Sequence, residues 1–257
     1  MSRIADAFKN GKAFIGFVTG GDPSIEKSEE FILGMIESGA DLIEIGIPFT
    51  DPIAEGPVIQ EANIRALNAG ANLAKLFKLV KNLRKKTKTP LVFLSYFNPI
   101  FKCPDFFEQC EDAGLDGLII PDLPFEESAE ARGPAKERGI DLISLIAPTS
   151  RHRIKEISQA AEGFLYIVSS MGVTGVRGEI ETDLNGMIEL ARANTNIPLA
   201  VGFGVNTLEQ ATEIGKIADG VIVGSAIVRI IEKYGGEAGP RIYDYVKSMK
   251  SAVSSSK

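Results

Sequence analysis

The sequence predicts an α/β protein built as a single (βα)8 barrel, and three observations carry that reading. Short β-rich apolar runs alternate with amphipathic stretches along the whole chain of 257 residues. The runs are near-continuously apolar, as parallel strands buried on both faces must be. They number eight, the count that closes a parallel barrel with its helices outside. The length would allow two domains, yet barrels of this kind commonly run about 200–250 residues as one. No linker, low-complexity segment or composition shift divides residues 1–257, which are therefore read as one domain with a polar tail frayed over 252–257.

In chain order, MSRIADAFKN forms a short amphipathic helix ahead of the first strand. The strands fall at 13–18, 41–47, 91–97, 117–122, 141–147, 164–170, 198–203 and 220–224. The helices that follow them fall at 24–38, 58–87 (interrupted at Gly70), 104–113, 125–138, 151–161, 182–194, 207–217 and 225–234, with a closing helix at 238–252. Asp22 is placed to cap the first of these helices and Asn98 to form an Asx turn. The basic cluster Lys81, Arg84, Lys85, Lys86 and Lys88 suits a helix C-terminus. Related phrases, SGADLIEIG, AGLDGLII, RGIDLISLI and IADGVIVG, recur where strands begin. In each, a helix ends at a small residue and Asp stands before or at the start of the strand, which supports a repeated βα unit.

Composition narrows the function classes. An apolar fraction of 44% and a charged fraction of 24% are those of a globular chain. No stretch reaches the roughly 18 uninterrupted apolar residues of a membrane helix. The N-terminus lacks the apolar core of a secretion signal, so the expectation is a cytoplasmic protein. A net charge of −6, with basic residues spread out apart from the cluster at 81–88, argues against a nucleic-acid footprint. Cys103 and Cys110 lack zinc-site spacing and are expected as free thiols.

The residue that stands out is Glu44, the single charge in the strand LIEIGI. An isolated charge in an apolar interior is so unfavourable that the group shifts its pKa or finds partners. A carboxyl pushed toward neutrality is what a general acid needs near pH 7. Behind it, PFTDPIAEGP adds Asp51 and Glu55 between Pro48, Pro52 and Pro57, which stiffen the loop. An ordinary βα loop with solvated acids is the alternative for this segment.

In such barrels the chemistry sits where strands end. Glycine-bearing turns fall there after strands six, seven and eight: GVTG at 172–175, GFGV at 202–205 and GSAIV at 224–228. Such turns let bare backbone N–H groups approach a phosphate at a helix N-terminus, and Ser225 adds a hydroxyl. No lysine falls inside a strand, which leaves a Schiff-base aldolase without an obvious nucleophile. The one histidine, His152, stands between Arg151 and Arg153 as a solvated residue. What remains is carboxylate acid/base chemistry on a phosphorylated small molecule, without metal or cofactor.

Together, LIEIGIPFTDPIAEGPVIQ at 42–60, FVTGGDP at 17–23, GVTG at 172–175, VGFGV at 201–205 and GSAIV at 224–228 resemble the tryptophan synthase α-subunit family, in family order over essentially the whole chain. The resemblance implies a TIM barrel that cleaves indole-3-glycerol phosphate to indole and glyceraldehyde 3-phosphate by a retro-aldol reaction. It makes Glu44 the general acid/base and Glu55 the second acid, facing the indole N–H. It places Phe17, Leu94, Tyr96 and Ile119 around the indole, with Tyr166 near the catalytic carboxyl. Gly175, Gly204, Gly224 and Ser225 would hold the phosphate, and 172–185 would form a lid on which Thr174 positions the second acid.

The chain departs from the family pattern at three of these positions. Glu55 stands where Asp is common, one methylene longer; Thr50 stands for Ser, and Ile119 for Leu. The family also implies an αββα heterotetramer in which pyridoxal phosphate sits only on the β subunit, so no cofactor is expected here. Loop 48–58 and region 97–104 would face that partner. A stand-alone indole-glycerol phosphate lyase and a catalytically weak activator of a β partner are the competing readings. A phosphate-binding isomerase would leave the segment Pro48 to Pro57 unexplained.

Overall fold

The computed structural model describes residues 3–169, 183–202 and 204–255. Eight parallel strands form a closed ring: β1 (Ala13–Thr19), β2 (Leu42–Gly46), β3 (Leu91–Leu94), β4 (Gly117–Ile119), β5 (Asp141–Ile146), β6 (Leu165–Val168), β7 (Leu199–Gly202) and β8 (Gly220–Val223), with β8 pairing back onto β1. The helices are α1 (Ile25–Glu37), α2 (Pro57–Asn68), α3 (Leu73–Arg84), α4 (Phe97–Phe101), α5 (Phe106–Ala113), α6 (Ala129–Glu137), α7 (Ile154–Gln159), α8 (Leu184–Arg192), α9 (Leu208–Ile217), α10 (Ser225–Tyr234) and α11 (Gly239–Ser255). The expected α/β barrel is therefore the fold.

Alternation along each strand divides the apolar side chains into two cores. Ala13, Ile15, Leu42, Val92, Ile119, Ile143, Phe164, Ala200 and Ile222 fill the barrel interior. Their neighbours, among them Phe14, Ile43, Ile45, Phe93, Leu118 and Val221, pack outward against the helices. The N-terminal segment Arg3–Phe8 closes the floor, with Ile4 fully buried in the interior core and the Phe8 ring 6.0 Å from that of Phe164. It is a 3-10 helix of six residues, a form that occurs in short pieces such as this.

Several boundaries differ from the sequence reading for local reasons. The strand expected at 91–97 ends at Leu94, because Phe97 donates its N–H to Asp122 Oδ1 (2.9 Å) and starts α4, with Pro99 tolerated in the first turn. The long helix expected at 58–87 is two helices: Gly70 takes φ +80 and Asn72 caps α3 by accepting from Lys75 N (3.0 Å). Ser24, not Asp22, caps α1. Asp22 instead receives both Nε and Nη2 of Arg65, at 2.9 and 2.7 Å, which fastens α2 to the loop after β1. The closing helix runs on through Ser255 with Val253 fully buried, where a frayed tail was expected from 252.

The recurrent Asp at strand starts has a structural meaning. Asp41, just before β2, accepts the N–H of Phe14 on β1 (2.7 Å), and Asp116 before β4 accepts that of Leu91 on β3 (2.8 Å). Asp219 before β8 accepts that of Leu199 on β7 (2.9 Å), and Glu162 ahead of β6 accepts that of Leu142 on β5 (3.2 Å). Each of these acids also faces a cation: Lys250, Arg84, Arg192 and Arg132 respectively. Four carboxylate staples thus bind each odd strand to the even strand after it, at the end of the barrel away from the site.

The Asp116 staple is the most buried of these, since it also takes Arg3 Nε and is 4% exposed. Removing one partner of a buried ion pair strands the others and typically costs about 3–5 kcal/mol. Asp116→Ala is therefore expected to lower unfolding free energy by about that amount in urea titrations. A loss below about 1 kcal/mol would show that the staple contributes little.

Candidate active site

The C-terminal ends of the strands open into a cavity of about 1230 Å³. Phe17, Glu44, Glu55, Leu94, Tyr166, Gly204, Gly224 and Ser225 all line it, so eight residues expected from sequence are brought to one place. Phe17 on β1 lies in register with Glu44 on β2, the two side chains standing one layer above Ile15 and Leu42 of the interior core. Close approach is made by glycine: a Cβ at Gly202 would lie 2.5 Å from Tyr166 Oη, and one at Gly224 would lie 3.2 Å from the Phe17 ring.

Glu44 is 1% exposed, and its Oε1 has no hydrogen-bond partner among the described residues. Burial alone pushes its carboxyl up to about 8, so it carries a proton at neutral pH. Burial and, secondarily, the neighbouring Glu44 hold the Tyr166 phenol well above its usual range. Both side chains line the same cavity. The two form a proton-bearing pair in an apolar mouth.

Glu55 enters from the loop between β2 and α2. It is half-buried, and burial raises its carboxyl to about 7 against the opposing hydrogen bond from Asn63. Asn63 Nδ2 donates to Glu55 Oε2 at 2.8 Å, and Gln60 Nε2 donates to the Glu55 carbonyl at 2.8 Å. Ala54 N donates to Tyr96 Oη at 3.0 Å, which ties the loop to the start of α4. Thr50 Oγ1 donates to Asp51 Oδ2 at 2.5 Å on the exposed side.

At the other end of the cavity, Ser225 is the first residue of α10 and Gly224 its cap, so the N–H groups of that first turn have no intrahelical acceptor. Gly204, with φ +82, turns the chain after β7 beside them. A helix N-terminus flanked by a glycine turn is suited to an anion. Among the described residues, no group of three or more His, Cys, Asp or Glu could hold a metal ion.

Two expected pocket residues stand behind the wall instead of in it. Ile119 is fully buried in the interior core, and Tyr96, 2% exposed, packs its ring 5.4 Å from Phe49 while anchoring Ala54. Neither lines the cavity. Thr174 and Gly175 lie outside the described residues, as do Phe203 and most of the expected lid. His152 is exposed as expected. The sequence reading missed Asn63, Ile222 and Arg229. Asn63 had a signal, being the one polar residue on the buried α2 face formed with Ile59, Ala62 and Ala66.

Residues 4–254 match the family model described as tryptophan synthase alpha chain. The chain is 45% identical to the tryptophan synthase alpha chain of Lacticaseibacillus casei over 259 aligned positions, covering 100% of this chain and 97% of that one. It superposes on the crystal structure of tryptophan synthase subunit alpha from Legionella pneumophila with a TM-score of 0.88 at 35% identity, covering 98% of both chains. It also superposes on a chain of the tryptophan synthase α2β2 complex of Pyrococcus furiosus, with a TM-score of 0.85 at 37% identity, covering 93% of this chain and 98% of that one. With its barrel, its paired carboxyls and its whole length matched, the chain belongs to the tryptophan synthase alpha-chain family and is a lyase of the α reaction in tryptophan biosynthesis.

Proposed function

We propose that the cavity cleaves indole-3-glycerol phosphate with Glu44 as general acid and then base, and Glu55 as the acceptor for the indole N–H. The observation that carries this reading is the burial of Glu44, whose unpartnered Oε1 stands in the mouth of the barrel on a carboxyl pushed up to about 8. The protonated carboxyl gives its proton to indole C3, and positive charge spreads to the ring nitrogen. The resulting Glu44 carboxylate takes the proton of the glycerol hydroxyl as the C3–glycerol bond breaks. The bond's electron pair returns to the ring, leaving indole and the aldehyde of glyceraldehyde 3-phosphate. Glu44 ends as it began, so the step balances without a further proton donor or an electron acceptor.

Glu55, ionised, stabilises the charge building on the nitrogen. Phe17, Leu94 and Tyr166 supply the apolar and aromatic wall a flat bicycle needs. Gly204, Gly224 and Ser225 hold the phosphate on the α10 N-terminus, with Thr174 and Gly175 assigned to the lid by family likeness alone. No cofactor is assigned to this chain, and its location is the cytoplasm.

The partner is a β subunit in an αββα assembly, as in the Pyrococcus complex. Among the described residues, the two most exposed large apolar side chains are Ile53 at 81% and Phe101 at 74%. They fall in loop 48–58 and region 97–104, the two segments that family likeness turns toward the partner. Large apolar side chains held in water favour a covered surface, and so a β-dependent enzyme over a stand-alone lyase.

Indole release from indole-3-glycerol phosphate, measured alone and with a β subunit, tests the reading. Weak activity that rises strongly with β supports it, high activity without β favours the stand-alone lyase, and no indole in either case rejects it. Glu44→Gln is expected to lower kcat by about 10²–10⁴-fold while glycerol phosphate binding persists. Gln has nearly the size and shape of the protonated carboxyl the site already holds, and a circular dichroism spectrum and melting curve check that the variant is folded. For the wild type, kcat/KM should fall below about pH 7 as Glu55 takes up a proton, and above about pH 8 as Glu44 loses one. A flat profile across that window would contradict the assignment. Phe101→Asp should weaken β binding by roughly tenfold or more in titrations of activation, with the turnover of the isolated chain unchanged.

A further inference from the structure

We propose that Asn63 is the positioning residue for Glu55, selecting which carboxylate oxygen meets the substrate nitrogen and keeping the group ionised when it does. The inference rests on the reading of Glu55 as the acid that faces the indole N–H. Asn63 is 3% exposed on a helix face otherwise made of Ile59, Ala62 and Ala66. A buried amide without a partner is costly, so its hydrogen bond is a fixed feature of the helix. Its Nδ2 donates to Glu55 Oε2 at 2.8 Å. Among the described residues no donor is bonded to Oε1, which leaves that oxygen as the acceptor toward the cavity that Glu55 lines.

The platform that carries Asn63 is itself held. Gln60, one turn earlier on α2, fixes the Glu55 carbonyl, so the acid is gripped at both main chain and side chain by one helix. The Arg65–Asp22 fork anchors that helix to the loop after β1, and Asp22 is 1% exposed. Glu55 also immediately precedes Gly56, the cap of α2, where the helix dipole favours negative charge. The extra methylene of Glu55 over the commoner Asp is accommodated by running the side chain back along α2 to Asn63. An amide donor cannot stabilise a protonated oxygen as it does a carboxylate, so the bond biases Glu55 toward its ionised form.

The pH dependence of kcat and KM for indole-3-glycerol phosphate cleavage, measured on the full chain with a β subunit, tests this. Asn63→Ala should lower kcat roughly ten- to a hundredfold with KM little changed, the loss expected for a hydrogen bond to a charged group. It should also move the acid limb of kcat/KM upward by about one pH unit or more. Asn63→Asp keeps the size but places a like charge beside Glu55, so its acid limb should move further up than that of Asn63→Ala. ¹³C titration of the Glu55 carboxyl reads the same displacement without turnover. Wild-type kcat together with an unmoved acid limb in either folded variant would overturn the proposal. Glu55→Gln separates it from the reading beneath: wild-type turnover there rejects Glu55 itself, whereas an inactive Glu55→Gln beside a wild-type-like Asn63→Asp rejects only the role of Asn63.

Discussion

Everything in the mouth of this barrel depends on keeping water away from one carboxyl group. The role proposed for Glu44 needs it protonated near neutral pH, and the force that holds it so is desolvation. That constraint explains the residues around it. Phe17 packs from the neighbouring strand, Tyr166 crosses from β6 over a bare Gly202, and the interior core below admits no polar group within reach of Oε1. A donor near Oε1 would stabilise the carboxylate and pull the pKa of Glu44 back down.

The second carboxyl is arranged in the opposite sense. Glu55 is partly solvated, carries a hydrogen bond that favours its charged form and stands at a helix N-terminus. Two acids of one residue type are therefore separated in pKa by environment, with burial higher at one and hydrogen bonding present at the other. The proposed division of labour between proton donor and charge acceptor would follow from position, not residue type. Strand β2 carries the first and the loop that leads into α2 carries the second, with Asn63 and Gln60 of α2 holding it.

Much of this was legible in the sequence because it rests on contrast. A single Glu in an apolar strand, glycines at successive strand ends and eight buried runs are departures that composition makes visible. Strand ends were read too long where apolar character continues past the ladder, as at Tyr96 and Phe97, since hydropathy does not distinguish a strand from the short helix after it. Asn63 was passed over because one polar residue on a helix reads as surface until the packing direction of that helix is known. Ile119 and Tyr96 were placed in the pocket by likeness, whereas the pleat turns Ile119 into the interior core and α4 turns Tyr96 toward the loop. Glu162 escaped the recurrent Asp phrase because a longer side chain reaches the same N–H from farther along the chain.

The carboxylate staples at the floor divide the barrel by pairs. Each joins β1 to β2, β3 to β4, β5 to β6 or β7 to β8, and none joins an even strand to the odd strand after it. The molecule is thus a ring of four strand pairs, each closed by its own carboxylate-to-N–H clasp. A chain divided, permuted or lengthened at an even-to-odd junction keeps all four clasps within single pieces, whereas a division inside a pair opens one. The architecture carries a grain, and modular assembly from (βα)2 pieces runs along it.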